Sequence, residues 1–310
     1  MGGITLEPIL DIQKLTKRYG PKAALDNVSF SIAKGSCFGL LGPNGAGKST
    51  TMKILTGILS ADSGSVHVFG INAFKQQRNV QRQVGYVPQE ITLYDKLSAN
   101  DNLEFFGRLY GIKGRLLKKR IHDVLLETGL LDRAKDPVKS FSGGMKRRIN
   151  IACALLHQPK LLILDEPTVG IDPQSRNHIF EMIRHLRDNG VTIIYSTHYM
   201  EEVEALCDDI AIIDQGKVIA QGTLDELFAS YAQKAVFVEA EGPFQPDSIH
   251  AIKKSYPRNH GWVLETDQPI EVMKTILDAQ QSELKLKAIE MIRPSLEDVF
   301  LSLTGTRLRD

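Results

Sequence analysis

The chain has 310 residues, 42% of them hydrophobic and 24% charged, the proportions of an ordinary globular protein, which exclude disordered and fibrous classes. Its 38 Lys and Arg nearly cancel its 37 Asp and Glu, and the formal net charge of +1 gives no global attraction to nucleic acid or acidic lipid, so any polyanion must be held locally. At about 150 residues per domain the length suggests two domains, and runs such as Lys160–Asp165 and Val191–Tyr195 fall far below the ~18 apolar residues of a membrane span.

The amino terminus, MGGITLEPIL, has no basic region and carries Glu7 in its apolar stretch, unlike a secretory signal. Leu6 stands where a myristoylation pattern needs Ser or Thr. From Ile9 to about Ile219, β-rich apolar runs alternate with helical patterns, which predicts an α/β sheet with crossover helices. Strands are expected at Ile9–Lys14, Val28–Ala33 and Ser36–Leu41, a helix at Lys48–Thr56, and later strands at Gln83–Val87, Leu161–Asp165, Thr192–Ser196 and Ile210–Asp214. Those last four apolar strands, ending in polar or glycine residues, suggest a largely parallel core covered on both faces. Asp101–Tyr110 and Leu116–Thr128 have helical spacing with no strand between them, the mark of a helical insertion over about residues 90–158. The basic run Arg115–Arg120 reads as a solvated helix face.

A boundary is expected near Tyr231, giving domains 1–231 and 232–310. The second is read as a small α+β unit: strands at Ala235–Ala240, around Trp262–Thr266 and at Leu284–Ile292, a loop at Gly242–Pro246, a helix at Ile270–Ala279 and a last helix after Ser295. It contains no convergent His, Cys or carboxylate set, as suits a regulatory or dimerisation module. Cys37, Cys153 and Cys207, odd in number and set among apolar neighbours, read as buried reduced thiols.

The strongest chemical signal is Gly42, Pro43, Asn44, Gly45, Ala46, Gly47, Lys48, Ser49 and Thr50, a G-x-x-x-x-G-K-[ST] loop between a strand and a helix. Glycines let backbone N–H groups curl around phosphate oxygens where a side chain would collide. The helix N-terminus adds a favourable dipole, Lys48 a point charge for β- and γ-phosphates, and Ser49 a hydroxyl for Mg²⁺. The spacing differs from the G-x-G-x-x-G of dinucleotide folds. Downstream, the strand Leu161–Asp165 ends in Asp165 and Glu166. Asp165 is placed to hold Mg²⁺, and Glu166 to orient and deprotonate an attacking water, a role worth ~10²–10⁴-fold in rate. Ser142, Gly143 and Gly144 open a further helix, and their amides make a second anion-binding surface.

Taken in order, the phosphate loop, the Ser-Gly-Gly signature, the Asp-Glu-Pro strand, Gln89 in Tyr86–Gln89 and His198 in Ser196–His198 resemble the ATP-binding subunit of an ABC transporter over about residues 9–230. The resemblance implies a P-loop NTPase fold with a helical subdomain insertion. It implies ATP and Mg²⁺ as ligands, with Ser49, Gln89 and Asp165 around the metal, and a head-to-tail homodimer in which each ATP lies between one phosphate loop and the partner's signature. Ser142, Gly143 and Gly144 would then contact the γ-phosphate across that dimer, and Asp172 would lie at the same interface. Tyr19 would stack on adenine, Gln89 would touch Mg²⁺ or the water and link the site to the insertion, and His198 would contact the γ-phosphate. By the same resemblance the chain sits on the cytoplasmic face of the membrane beside a separate permease, with no nucleic acid expected.

The signature departs from the family's commonest form: it reads Phe141-Ser-Gly-Gly-Met145 where the usual one has Leu-Ser-Gly-Gly-Gln, and a thioether cannot replace an amide's hydrogen bonds. This variant, followed by Lys-Arg-Arg, resembles exporters of drugs, polyketides, lipids and nodulation factors. The stretch Pro294–Gly305 is similar to the closing segment of daunorubicin-resistance ATPases, with Leu296, Val299, Phe300 and Leu303 on one apolar helical face. Alternatives are a soluble ABC ATPase acting on ribosomes or DNA, whose relatives carry tandem ATPase units, a coiled coil or zinc cysteines, and a non-catalytic nucleotide switch, which intact Lys48, Asp165, Glu166 and His198 argue against.

Overall fold

The computed structural model of the protein describes residues 8–241, 244–246, 249–279 and 285–305. The amino-terminal stretch Met1–Glu7, Gly242 and Pro243 of the expected loop, and Leu284 of the expected strand lie outside them. The chain divides into two units between Leu224 and Asp225.

In the first unit, β1 (Leu10–Tyr19) turns through Gly20 and Pro21 into β2 (Lys22–Ile32), and Tyr19 pairs with Lys22. Gly20 takes φ 59° there, a conformation that costs glycine nothing. Such a short connection can join only antiparallel neighbours. These strands, with β4 (Ser63–Val68) and β5 (Ile71–Asn72), therefore form a sheet of their own in the order β2-β1-β4-β5. The expected strands Ile9–Lys14 and Val28–Ala33 thus lie in this antiparallel sheet, apart from the largely parallel core expected of the four later apolar strands.

A second sheet has the order β10-β9-β3-β8-β7-β6. It comprises β3 (Cys37–Leu41), β6 (Val84–Val87), β7 (Leu161–Asp165), β8 (Thr192–Thr197), β9 (Asp209–Asp214) and β10 (Lys217–Thr223). Only β10 runs antiparallel to its neighbour. Every residue of β3, β7 and β8 is buried, the pattern of central strands covered on both faces. Burying each aliphatic side chain of Leu161–Leu164 contributes roughly 1.5–3 kcal/mol, which holds β7 in one register.

Helix α1 (Lys48–Leu55) leaves the end of β3, and its Met52, Ile54 and Leu55 share one core with the antiparallel sheet and with Leu161 and Ile163 of β7. A short helix, α2 (Gln77–Gln81), precedes β6. The helical insertion follows as α3 (Ala99–Leu109), α4 (Gly114–Glu127) and α5 (Gly143–Leu155). Arg115, Lys118 and Lys119 are exposed on α4 while Leu117 is buried, the solvated face expected of that run. Helices α6 (Pro173–Asp188) and α7 (Met200–Leu206) complete the crossovers. Cys37, Cys153 and Cys207 are buried free thiols, and the Sγ atoms of Cys37 and Cys207 meet at 3.9 Å.

In the second unit, α8 (Leu224–Tyr231) leads into a sheet of order β12-β13-β11-β14, formed by β11 (Ala235–Glu241), β12 (Lys254–Arg258), β13 (Gly261–Glu265) and β14 (Lys285–Ile292). Val272 and Ile276 of α9 (Pro269–Ala279) close its core on Val236, Val238 and Leu264. In α10 (Leu296–Thr304), Ser295 and Asp298 form a capping box, with Leu296, Val299 and Phe300 buried and Leu303 half-buried.

Helix α5 lies against β6 at Gly85, where an added Cβ would sit 2.7 Å from the Ala154 carbonyl oxygen and 3.0 Å from Pro159 Cγ. We expect Gly85→Ala to lower the unfolding free energy by roughly 1–3 kcal/mol, the cost of overpacking against backbone, measured by urea denaturation. Unchanged stability would show that α5 does not pack so closely.

Candidate functional site

Neighbouring parallel strands β3, β8, β7 and β6 deliver their carboxyl ends to one edge of the sheet, the edge where α/β sheets bind ligands. The phosphate loop follows β3, His198 follows β8, Asp165 and Glu166 end β7, and Gln89 follows β6. Four sequence-distant segments thus converge without any long loop.

Tight backbone turns shape the phosphate loop. Gly45 and Gly47 have φ 80° and 114°, and a Cβ on Gly42 would lie 2.1 Å from the Ile213 carbonyl oxygen. The loop is tied to itself and to the chain after β9: the Ala46 amide donates to Pro43, and Gly216 donates to Ala46. Lys48 is buried, with Nζ donating to the carbonyls of Gly42 at 2.7 Å and Pro43 at 3.2 Å. Burial pulls this ammonium below the ordinary lysine range, and the charges of Glu166 and Asp165 act against the shift.

Glu166 is the meeting point. Its backbone has φ 47°, the left-handed region that non-glycine residues rarely occupy and that stores strain at functional sites. Its amide donates to the Ser196 carbonyl, which aims the buried side chain at the phosphate loop. Oε1 lies 3.2 Å from Lys48 Nζ and 3.4 Å from His198 Nδ1, and Oε2 accepts from Gln89 Nε2 at 2.9 Å. Asp165 lies one residue earlier. Ser49 Oγ donates to its Oδ1 at 3.3 Å, and Tyr86 OH to its Oδ2 at 3.5 Å. Burial raises the Asp165 carboxyl above its usual range, while the hydrogen bond from Ser49 and the charge of Lys48 oppose the rise.

A cavity of ≈ 350 Å³ opens beside these groups, lined by Tyr19, Asn44, Lys48, Ser49, Gln89 and Glu166 among others, with Thr50 and the loop glycines Gly45 and Gly47. That volume suits a small ligand. Tyr19, at the end of β1, is half exposed at its rim.

Ser142, Gly143 and Gly144 do not line this cavity. Ser142 caps α5 by accepting from the Met145 amide at 3.2 Å, and Ser142 and Gly143 are exposed. An added Cβ on Gly144 would lie 2.2 Å from Ser175 Cβ, so glycine there lets α5 approach the start of α6. Asp172 caps that helix, accepting from the Ser175 amide at 2.9 Å, and those hydrogen bonds hold its carboxyl below the usual range. Signature and Asp172 therefore share one surface, apart from their own chain's phosphate loop.

Two buried charged residues were not singled out from the sequence. Arg147, on α5, reads there as one of a basic run, and Glu202, on α7, as an ordinary acid in a helix's first turn. Yet Glu202 is only 2% exposed. It accepts from Thr168 Oγ1 at 2.7 and 2.9 Å, Tyr195 OH at 2.9 Å and Thr197 Oγ1 at 2.9 Å. The network braces the segments immediately after Glu166 and before His198. Removing the acceptor leaves Thr168 and Tyr195 only their mutual hydrogen bond at 3.1 Å and deprives the Thr197 hydroxyl of its acceptor, at about 1–3 kcal/mol for each group left unsatisfied. We expect Glu202→Ala to destabilise the protein by roughly 3 kcal/mol or more on that basis, with Glu202→Gln milder because it keeps one oxygen acceptor; chemical denaturation of both variants measures this. Equal stability of all three proteins would remove the network from the account.

Comparison with known proteins adds an independent line. The ABC transporter family profile matches residues 25–169, and that of the ATP-binding protein DrrA1-3-like, C-terminal domain, matches residues 222–304. The chain is 44% identical to the linearmycin resistance ATP-binding protein LnrL of Bacillus subtilis (strain 168), over 97% of this chain and 100% of that protein. It is 38% identical to the Nod factor export ATP-binding protein I of Ralstonia nicotianae, over 99% of this chain and 97% of that one. Among solved structures, cbiO1 from Clostridium perfringens, described as part of the ABC transporter complex cbiONQ, superposes with a TM-score of 0.67 at 30% identity, covering 73% of this chain and 92% of that one.

Proposed function

The chain belongs to the ATP-binding proteins of ABC transporters, and from that premise we propose that it hydrolyses ATP at the Glu166 site to power export of a drug-like, lipid or polyketide substrate through a separate membrane-spanning permease. The observation that carries the reading is the convergence of Lys48, Gln89 and His198 on the two oxygens of one buried carboxylate.

Amides of Gly42–Thr50 and the Lys48 ammonium bind the triphosphate. Tyr19 stacks on adenine; such stacking is worth roughly 1–3 kcal/mol per base. Glu166 is the general base: it orients the water and takes its proton as the water oxygen bonds to the γ-phosphorus and the bond to the β–γ bridging oxygen breaks, releasing ADP and phosphate. Gln89 and His198 fix the carboxylate's orientation, and His198 donates to the γ-phosphate. The donor set fits Mg²⁺, because Ser49 and Asp165 bring two hard oxygens within 3.3 Å and this ion prefers one or two carboxylates plus substrate phosphates. With the Gln89 amide oxygen they would hold the metal, which when bound neutralises phosphate charge and orients the chain for displacement.

The exposed Ser142–Gly143 amides and Asp172 face a second copy of the chain, in a head-to-tail dimer that gives each ATP a phosphate loop from one subunit and a signature from the other. No helix among the described residues is long and apolar enough to cross a membrane. The chain works at the cytoplasmic face of the inner membrane, docked on its permease. Export, and the substrate class, are supported by the resistance and export names of the relatives and by the carboxyl-terminal match.

We expect Glu166→Gln to abolish ATP turnover, retain ATP binding and accumulate as an ATP-bound dimer, followed by phosphate release and by light scattering after size exclusion. Wild-type hydrolysis in that variant would remove Glu166 from the mechanism.

A further inference from the structure

Helix α5 carries the signature at its first turn and, immediately after it, a set of side chains that grip the segment following β6. Lys146 Nζ lies 2.8 Å from Asp95 Oδ1. Arg147 donates from Nη1 to the Pro88 carbonyl at 2.8 Å and from Nη2 to the Gln89 carbonyl at 2.5 Å. One turn on, Asn150 Oδ1 accepts from Thr92 Oγ1 at 3.3 Å. The close approach at Gly85 brings the two elements near enough for all three.

Arg147 differs from the other two in being a charged group that is buried, since Asn150 is buried but neutral and Lys146 is partly exposed. It is only 3% exposed, and among the described residues no carboxylate lies within ion-pair distance of it; Asp165 acts on it at longer range. A buried guanidinium answered by two neutral carbonyls costs several kcal/mol of desolvation, and an apolar side chain of similar volume would pack there at lower cost. Stability alone gives no reason for an arginine here. Its distinguishing ability is geometric: a rigid planar fork donates to two consecutive carbonyls at once, which the single ammonium of lysine cannot do. Those carbonyls flank the Cα of Gln89, whose side chain leaves toward Glu166 Oε2.

We propose that Arg147 is a positioning residue that locks Gln89 to the signature helix, so that capture of one ATP by Ser142, Gly143 and Gly144 sets Gln89 against Glu166 at the other. The inference rests on the dimeric ATPase reading above. Within one chain, Gln89 serves the ATP on its own phosphate loop while the start of α5 serves the partner's ATP. The Arg147 fork makes them one rigid body. Closure at either site thereby reports on the geometry of its neighbour, and hydrolysis becomes cooperative in ATP.

A double-mutant cycle tests this with the purified full-length chain and MgATP, comparing wild type, Arg147→Met, Gln89→Ala and the double variant, with Arg147→Lys as a second probe that keeps charge and stem. Because a displacement of about 1 Å can cost ~10²-fold in rate, we expect each single variant to lose about tenfold or more in kcat while KM for ATP changes by less than about threefold. The double variant should be no slower than the slower single one, since both remove the same placement. Arg147→Lys should recover part of the rate, and the Hill coefficient for ATP should fall toward one in both Arg147 variants. Multiplicative losses in the double variant, or an unchanged Hill coefficient, would overturn the inference while leaving the ATPase reading intact. If Arg147→Met fails to fold, the cycle of Arg147→Lys with Gln89→Ala gives the same discrimination. No hydrolysis by the wild type, alone or with its permease, would overturn the parent reading and this inference with it.

Discussion

The structure depends on one constraint: a carboxylate must be carried on a rigid support to a point where a lysine, a histidine and a glutamine from three other segments all reach it. Strand β7 supplies the support because all five of its residues are buried. The left-handed backbone at Glu166 then turns the side chain out of the sheet's alternation toward the phosphate loop. Such a conformation costs on the order of 1–3 kcal/mol, and the surroundings of the strand hold it in place. The Ser196 carbonyl takes the Glu166 amide, and the Glu202 network pins Thr168 on one side and Thr197 on the other. Sheet order does the remainder: with β3, β8, β7 and β6 adjacent, every polar group of the site sits at the end of a neighbouring strand.

The signature residues stand elsewhere. The signature amides open α5 on an exposed surface beside Asp172, outside the cavity of their own chain. On the proposed reading a monomer has two anion-binding surfaces that do not face each other, and a head-to-tail pair of chains would turn that separation into two complete sites. Arg147 would give the separation a consequence, because it ties the start of α5 to the backbone of Gln89, whose side chain meets Glu166. A departure at Met145 leaves the Ser142 cap intact, since the capped group is the residue's backbone amide.

What was legible in the sequence was whatever chemistry sits at a strand end. The phosphate loop, Asp165 and Glu166, Gln89 and His198 each follow a short apolar run, so residue type and position could be read together, and the structure brings them together. The separate antiparallel sheet was not legible, because the strand Lys22–Ile32 was expected to begin only at Val28 and the tight turn at Gly20 and Pro21 went unread. Arg147 and Glu202 were hidden for another reason. On a helix wheel each is an ordinary charged residue, and the partners that make them special lie 58 and 34 positions away in sequence. A buried charge is defined by the tertiary structure around it, and only the folded chain shows which arginine of Met-Lys-Arg-Arg is turned inward.

The central claim, a hydrolytic site built from two copies of the chain, is tested most directly by complementation between two inactive variants, Lys48→Ala in one chain and Ser142→Arg in the other. Each homodimer lacks an element at both of its sites. A mixed dimer retains one whole site, made from the phosphate loop of the Ser142→Arg chain and the signature of the Lys48→Ala chain. The account predicts that phosphate release is near zero for either variant alone and rises clearly above that background on mixing, though below half of the wild-type rate, because helix α5 of the Ser142→Arg chain captures no ATP to set its own Gln89. Mixed dimers that form and still release no phosphate, or a Ser142→Arg chain that hydrolyses ATP unaided, would contradict it.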